Sequence, residues 1–131
     1  MKIIVSLFLM SLSLYAMSFN DIKIQAAAEK KLILVELVME SCSYCEKMEK
    51  FVLSKEDVKS IITKNYMLLK LDIRKDEIPE FLTSRITPTF YIVTPDNVIL
   101  HEMIGAPSKS EFIALLERFG ATKWKSFSTY S

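Results

Sequence analysis

Hydrophobic and polar positions divide the chain into segments of two different periods. An apolar run from Ile3 to Leu14, broken only by Ser6, Ser11 and Ser13, stands apart from the rest of the chain. Asn20 and Asp21 can start a helix, and Ile22 to Lys30 reads as an amphipathic one. Leu32 to Val38 (LILVELV) is apolar and rich in β-branched residues, the pattern of a buried strand, interrupted only by Glu36. From Cys42 to about Leu53 the period turns helical, with Cys45, Met48 and Val52 on one face. Ser54 and Asp57 have capping-box spacing, which predicts a second helical segment through Lys64. Tyr66 to Asp72 (YMLLKLD) is another buried strand, interrupted by Lys70, and Asp76 to Ser84 reads as a short helix. Thr89 to Thr94 is a strand, Pro95-Asp96-Asn97 a turn, and Val98 to Met103 the returning hairpin partner. Gly105 and Pro107 end that strand. Ser108 and Glu111 then form a capping box ahead of a helix to Phe119.

After the first helix the order is β-α-β-α-β-β-α. Strands alternating with helices favour parallel pairing, and the hairpin closes the sheet antiparallel. The expected fold class is therefore α/β, with a central mixed sheet of about four strands flanked by helices and preceded by one N-terminal helix.

Composition sharpens this outline. A chain of 131 residues, half of them hydrophobic, fits one domain with a real core. Met1 and Lys2 ahead of the apolar run, with small residues at Ala16 and Ser18, predict a secretory signal peptide cut after residue 16 or 18. A retained anchor is the less favoured reading, since a membrane span needs about 20 apolar residues. The expected organisation is a signal at 1–18, a domain at 19–120 and a loosely held tail at 121–131. Removing Lys2 balances the 16 acidic residues against 16 basic ones. No basic stripe points to nucleic acid.

The two cysteines, Cys42 and Cys45, stand in ESCSYCEKM. A structural zinc site needs four ligands, and the chain offers two cysteines and one histidine, His101, far off in the last strand. No metal and no cofactor is expected, and His101 reads as an edge-strand residue facing water. As a staple the pair is poorly placed, because stabilisation grows with the length of the closed loop. A redox role fits better. Cys42 falls where a strand ends and a helix begins, where free N–H groups and the helix dipole favour a thiolate, the nucleophilic form. Cys45 lies one turn on, near enough to close a disulfide. Cys42 would attack a substrate disulfide, and Cys45 would then attack Cys42 and release the substrate. Cys45 is expected to be the more buried of the two and to need a base. Glu36, inside an apolar strand, is the candidate, because burial raises a carboxyl's pKa toward the range useful for proton transfer. Lys70 is its expected charge partner. The competing reading has Glu36 pointing outward from a half-exposed strand. Pro88 either opens its strand or takes a cis bond, and its place after a C-x-x-C helix and before a hairpin favours cis.

Together these pieces resemble the thioredoxin-like proteins from Leu32 to Phe119. LVELVMESCSYC is similar to the family's strand, loop and C-x-x-C helix, and Glu36 falls where the family keeps a buried acid. Lys70 in LLKLDI falls where the lysine beside that acid is kept. ITPTFYIV resembles the cis-proline strand, and GAPSKSEF the glycine turn and capped last helix. The resemblance implies that Thr87 and Pro88 lie across from the cysteines, with the Thr87 backbone pairing with an extended substrate. Ser43 and Tyr44, between the cysteines, are expected to face that substrate too. There are departures. Ser41 replaces the aromatic before the first cysteine, Ser43-Tyr44 replaces Gly-Pro and looks closer to glutaredoxins, and Lys50 stands where a mid-helix proline is usual. Glu46 replaces the lysine after the second cysteine and should oppose thiolate formation. The expected function is an exported, periplasmic, monomeric thiol–disulfide oxidoreductase that reduces protein disulfides and is fed by a membrane thiol-electron donor. The rivals are a disulfide-introducing oxidase and a non-catalytic binding or chaperone module of the same fold.

Overall fold

The computed structural model describes residues 18–121. The expected signal segment up to residue 17 and the tail from 122 lie outside them. The elements are α1 (Phe19–Glu29), β1 (Leu32–Val38), α2 (Ser43–Met48), a π-helical turn (Glu49–Leu53), α3 (Glu56–Asn65), β2 (Tyr66–Asp72), β3 (Thr89–Val93), β4 (Ile99–Ile104) and α4 (Lys109–Gly120). The strands form one mixed sheet in the order β2-β1-β3-β4. β1 runs parallel to β2 and antiparallel to β3, and β3 pairs antiparallel with β4. Among the described residues no helix is long and apolar enough to cross a membrane.

β1 is central and covered on both faces, which is why its sequence is apolar almost without alternation. Successive side chains point to opposite faces. Leu32 and Leu34 meet α2, the π turn, α3 and α4 in one core, where the Phe90 and Phe112 rings pack at a tilt of 58° with centres 5.0 Å apart. Ile33, Val35 and Leu37 meet α1 and the β2–β3 connection in the other. Glu36 follows Leu34 on the first face, so the pleat turns its carboxyl toward the helix that carries the cysteines. The Tyr66 hydroxyl donates to the Leu116 carbonyl at 2.6 Å inside that same core.

The helix ends are fixed by side-chain caps, with some differences from expectation. α1 is capped by Ser18, whose hydroxyl and backbone exchange hydrogen bonds with Asp21. Asn20 and Asp21 lie inside its first turn. Ser108 and Glu111 form the expected capping box on α4. Ser108→Ala should lower the stability of the folded chain by about 1 kcal/mol, read from the urea midpoint at unchanged slope.

The expected Ser54–Asp57 box does not form. The helix after Met48 widens into a π turn, in which the Ser54 N–H bonds the Glu49 carbonyl five residues back. The Ser54 hydroxyl is drawn back to the Lys50 carbonyl at 2.8 Å, and Lys55 becomes the N-cap residue of α3 without a side-chain cap. Asp57 instead takes the Lys109 ammonium at 2.8 Å, tying α3 to α4.

Asp76 to Ser84 forms turns, not a helix. The Asp76 carboxylate accepts from the Asp72 N–H at 2.7 Å and the Asp72 carboxylate from the Arg74 N–H at 2.8 Å. These local bonds offer the backbone an alternative to a helix, and Pro79 disfavours helical geometry at Ile78. Leu82 plugs the core beside α1.

Candidate functional site

Cys42 is the N-cap residue of α2, in extended conformation, after Ser41 in the left-handed region at φ 58°. Cys42 and Cys45 are joined in a disulfide across the first helical turn, with Cα atoms 5.2 Å apart. The Cys45 N–H points at the Cys42 sulfur at 3.2 Å.

The second wall of the site comes from the segment leading into β3. The Thr87–Pro88 peptide is cis. The Thr87 hydroxyl donates to Cys42 Sγ at 3.4 Å, and the Thr87 carbonyl oxygen lies 3.6 Å from the same sulfur. A small polar network holds this segment. Thr89 Oγ1 donates to the Ile86 carbonyl at 2.6 Å and accepts from Ser84 Oγ at 2.9 Å. The Ser84 N–H donates to the Tyr91 hydroxyl at 3.0 Å. On the far side, the Gly105 N–H donates to the Pro88 carbonyl at 2.8 Å. Gly105 has φ 97°, a conformation that a side chain would strain.

The exposure of the two cysteines is the reverse of that expected. Cys42 is only 9% exposed, because the Thr87–Pro88 segment lies over it, whereas Cys45 is half-buried. Cys45 opens onto a cleft of 260 Å³ lined by Glu36, Cys42, Glu46, Glu49 and Lys70. Ser43 and Tyr44 project from the first turn into solvent, Tyr44 beneath the Lys47 ammonium, 5.1 Å from its ring centre. Ile86 and Ile104 are also exposed.

Glu36 is buried, which rules out the outward-facing alternative. It lies opposite Lys70 in the parallel β1–β2 register. Lys70 Nζ is 3.6 Å from Glu36 Oε1, an ion-pair contact too long for a hydrogen bond, and that buried oxygen has no hydrogen-bond partner. Burial pushes the Glu36 carboxyl up to about 7; the Lys70 cation opposes this and the Glu49 carboxylate adds to it. Lys70 also reaches Glu49 Oε2 at 3.3 Å.

Cys42, Cys45, Glu36, Lys70, Thr87 and Pro88 thus belong to one site. His101 does not. Its ring, in edge strand β4, packs at a tilt against Phe119 with centres 5.4 Å apart, so it is packed rather than simply facing water. Sequence reasoning missed Ser84, Thr89 and Tyr91, whose role depends on contacts across a turn. It also missed Glu49, although its place four residues after Cys45 puts it on the same helical face.

The chain matches the thioredoxin-like domain family over residues 19–120. No curated protein sequence matches it. Among solved structures it is similar to a thioredoxin from Thermus thermophilus, with TM-score 0.66 and 20% identity over 81% of this chain and 86% of that one. The germline-specific thioredoxin Deadhead of Drosophila melanogaster gives TM-score 0.59 and 27% identity over 73% and 88%. The periplasmic thioredoxin SoxS of Paracoccus pantotrophus gives 0.55 and 20% over 70% and 97%.

Proposed function

The chain belongs to the thioredoxin-like family, and from that premise we propose that it is an exported thiol–disulfide oxidoreductase that reduces protein disulfides. The observation that carries the reading is the Cys42–Cys45 disulfide above buried Glu36, with the Cys45 N–H and the Thr87 hydroxyl both directed at Cys42 Sγ. Those two donors would stabilise a Cys42 thiolate, so Cys42 is the attacking sulfur. It displaces one sulfur of the client disulfide and forms a mixed disulfide. Cys45 gives its proton to the Glu36 carboxylate and attacks Cys42 Sγ. The second client sulfur leaves as a thiolate, two electrons have passed to the client, and the Cys42–Cys45 disulfide is regenerated. Lys70 balances the Glu36 charge. Thr87, whose N–H has no partner among the described residues, would pair with the client backbone beside Pro88. Ser43 and Tyr44 would meet the client's side chains.

The charges around the pair support this direction. Glu36, Glu46 and Glu49 line the cleft beside the pair against one cation, Lys70. Carboxylates disfavour thiolates, so they destabilise the reduced pair and favour electron donation. The two donors on Cys42 Sγ pull the other way and are what an oxidase would use. The apolar run at Ile3 to Leu14 and the similarity to a periplasmic thioredoxin support export to a periplasm. There a membrane thiol donor would reduce the pair again, with the domain at 19–120 acting as a monomer. The test is the reduction potential of the Cys42–Cys45 pair by equilibration with a dithiol buffer. A value near about −270 mV is expected; one near about −120 mV would make the protein an oxidant and overturn the direction.

A further inference from the structure

One lysine serves two carboxylates in this site. Lys70 Nζ lies 3.3 Å from Glu49 Oε2 and 3.6 Å from Glu36 Oε1. The shorter contact, within hydrogen-bond range, goes to the exposed acid, and the buried acid is left with an oxygen that no group bonds. This division is built into the backbone. The parallel register sets Lys70 opposite Glu36, and Glu49 is the first residue of the π turn, whose carbonyl takes the five-residue bond from Ser54. Glu49 is exposed to solvent, whereas Glu36 is buried.

From this arrangement we propose that Glu49 is a positioning residue that holds Lys70 part-way off Glu36 and so leaves the buried acid free to take up and release a proton. This rests on the proposed role of Glu36 as the proton acceptor for Cys45. The groups around Glu36 agree with it. β2 contributes only Lys70, β3 the uncharged Phe90, α2 Cys45 and Glu46, the π turn Glu49, and the β1–α2 loop Cys42 and Glu40, the last paired with Lys75. Among the described residues, the single cation lining this cleft with Glu36 is thus the one that Glu49 shares. Without Glu49 the direct repulsion disappears and Lys70 is released to Glu36, and both changes favour the ionised acid. The direction of the Glu49 effect on the Glu36 carboxyl is the same.

The test is a carbon-13 titration of the Glu36 side-chain carboxyl between pH 5 and 9 in the oxidised full chain, for wild type, Glu49→Gln and Glu49→Asp. Both substitutions are at an exposed position, and circular dichroism checks the fold. Glu49→Gln should move the midpoint down by about half a pH unit or more. Glu49→Asp should return part of that shift, because its shorter side chain keeps the charge. A Glu49→Gln midpoint within about 0.2 units of wild type, or displaced upward, would overturn the proposal. The pH profile of disulfide exchange, recorded on the same proteins, separates the two readings. A moved carboxyl midpoint with an unmoved exchange profile would retain Glu49 as the residue that sets Glu36, and would reject Glu36 as the proton acceptor.

Discussion

Reduced Cys45→Ala protein mixed with a disulfide-bonded client should accumulate a covalent adduct through Cys42, and Cys42→Ala should form none. The asymmetry comes from the surroundings of the two sulfurs. Cys42 Sγ meets two hydrogen-bond donors, the Cys45 N–H and the Thr87 hydroxyl. Cys45 faces the cleft with Glu46 and Glu49, whose carboxylates oppose a thiolate, and gives up its proton only to Glu36. The first should therefore attack and the second resolve. Without Cys45 the mixed disulfide has no internal way out, and a non-reducing gel or intact-mass measurement will find it. Turnover should fall by at least about 10³-fold in either variant, because removing one member of a unit that acts together costs nearly as much as removing all of it. Adducts through Cys45 in the Cys42→Ala protein would reverse the attack order. Unchanged client affinity, with no adduct in either variant, would favour a binding module.

Glu36 should make the oxidised protein less stable as the pH rises from about 5 to 8. The folded state keeps a proton on Glu36 up to about 7, while the unfolded chain releases it near 4.5. Between those values the folded state binds more protons, so its stability is full below the lower one and is lost as the pH rises through the upper. The distance from 4.5 to about 7 corresponds to on the order of 3 kcal/mol. Other shifted groups act outside this window. Lys70 is destabilised as a cation by burial, but Glu36 and Glu49 outweigh that and hold its pKa up, so its contribution is lost only in strong base. The Lys109 contact lowers Asp57 and the Ser108 cap lowers Glu111, so their contributions are lost only in acid. Glu36→Leu, on a face it shares with Leu34, should flatten the dependence and be the more stable protein at pH 8, by ~1–3 kcal/mol. The same variant should resolve mixed disulfides about 10²-fold more slowly or worse. Urea midpoints for both proteins from pH 5 to 8 decide the first point, and a wild-type curve without slope would place no buried proton at Glu36.

The strands were legible because a covered strand must be apolar throughout. Glu36 and Lys70 were legible as interruptions in such runs, and the register sets them opposite each other. The π turn was not legible. Its apolar positions, Val52 and Leu53, satisfy an ordinary helical spacing as well. That hidden widening is also why Ser54 and Asp57, spaced like a capping box, do not form one. The Asp76–Ser84 segment failed for a local reason, since its apolar spacing is helical while Asp72, Asp76 and Pro79 tie the backbone into turns. The relative exposure of Cys42 and Cys45 could not be read from their own helix. It depends on where the Thr87–Pro88 segment, more than 40 residues away in the chain, comes to rest.

The Ser18 cap bears on the expected removal of a signal segment. Ser18 both accepts from the Asp21 N–H and donates its own N–H to the Asp21 carboxylate, closing the first turn of α1. A peptidase cutting after Ala16 leaves this box whole, with Met17 as the new terminus. A cut after Ser18 removes the cap and sets a cationic amine on Phe19, against the positive end of the helix, a loss of about 1 kcal/mol or more. α1 covers Ile33, Val35 and Leu37, so that loss would loosen one whole face of the sheet. If a signal segment is removed at one of the two expected positions, only the cut after Ala16 would leave Ser18 in place to cap α1.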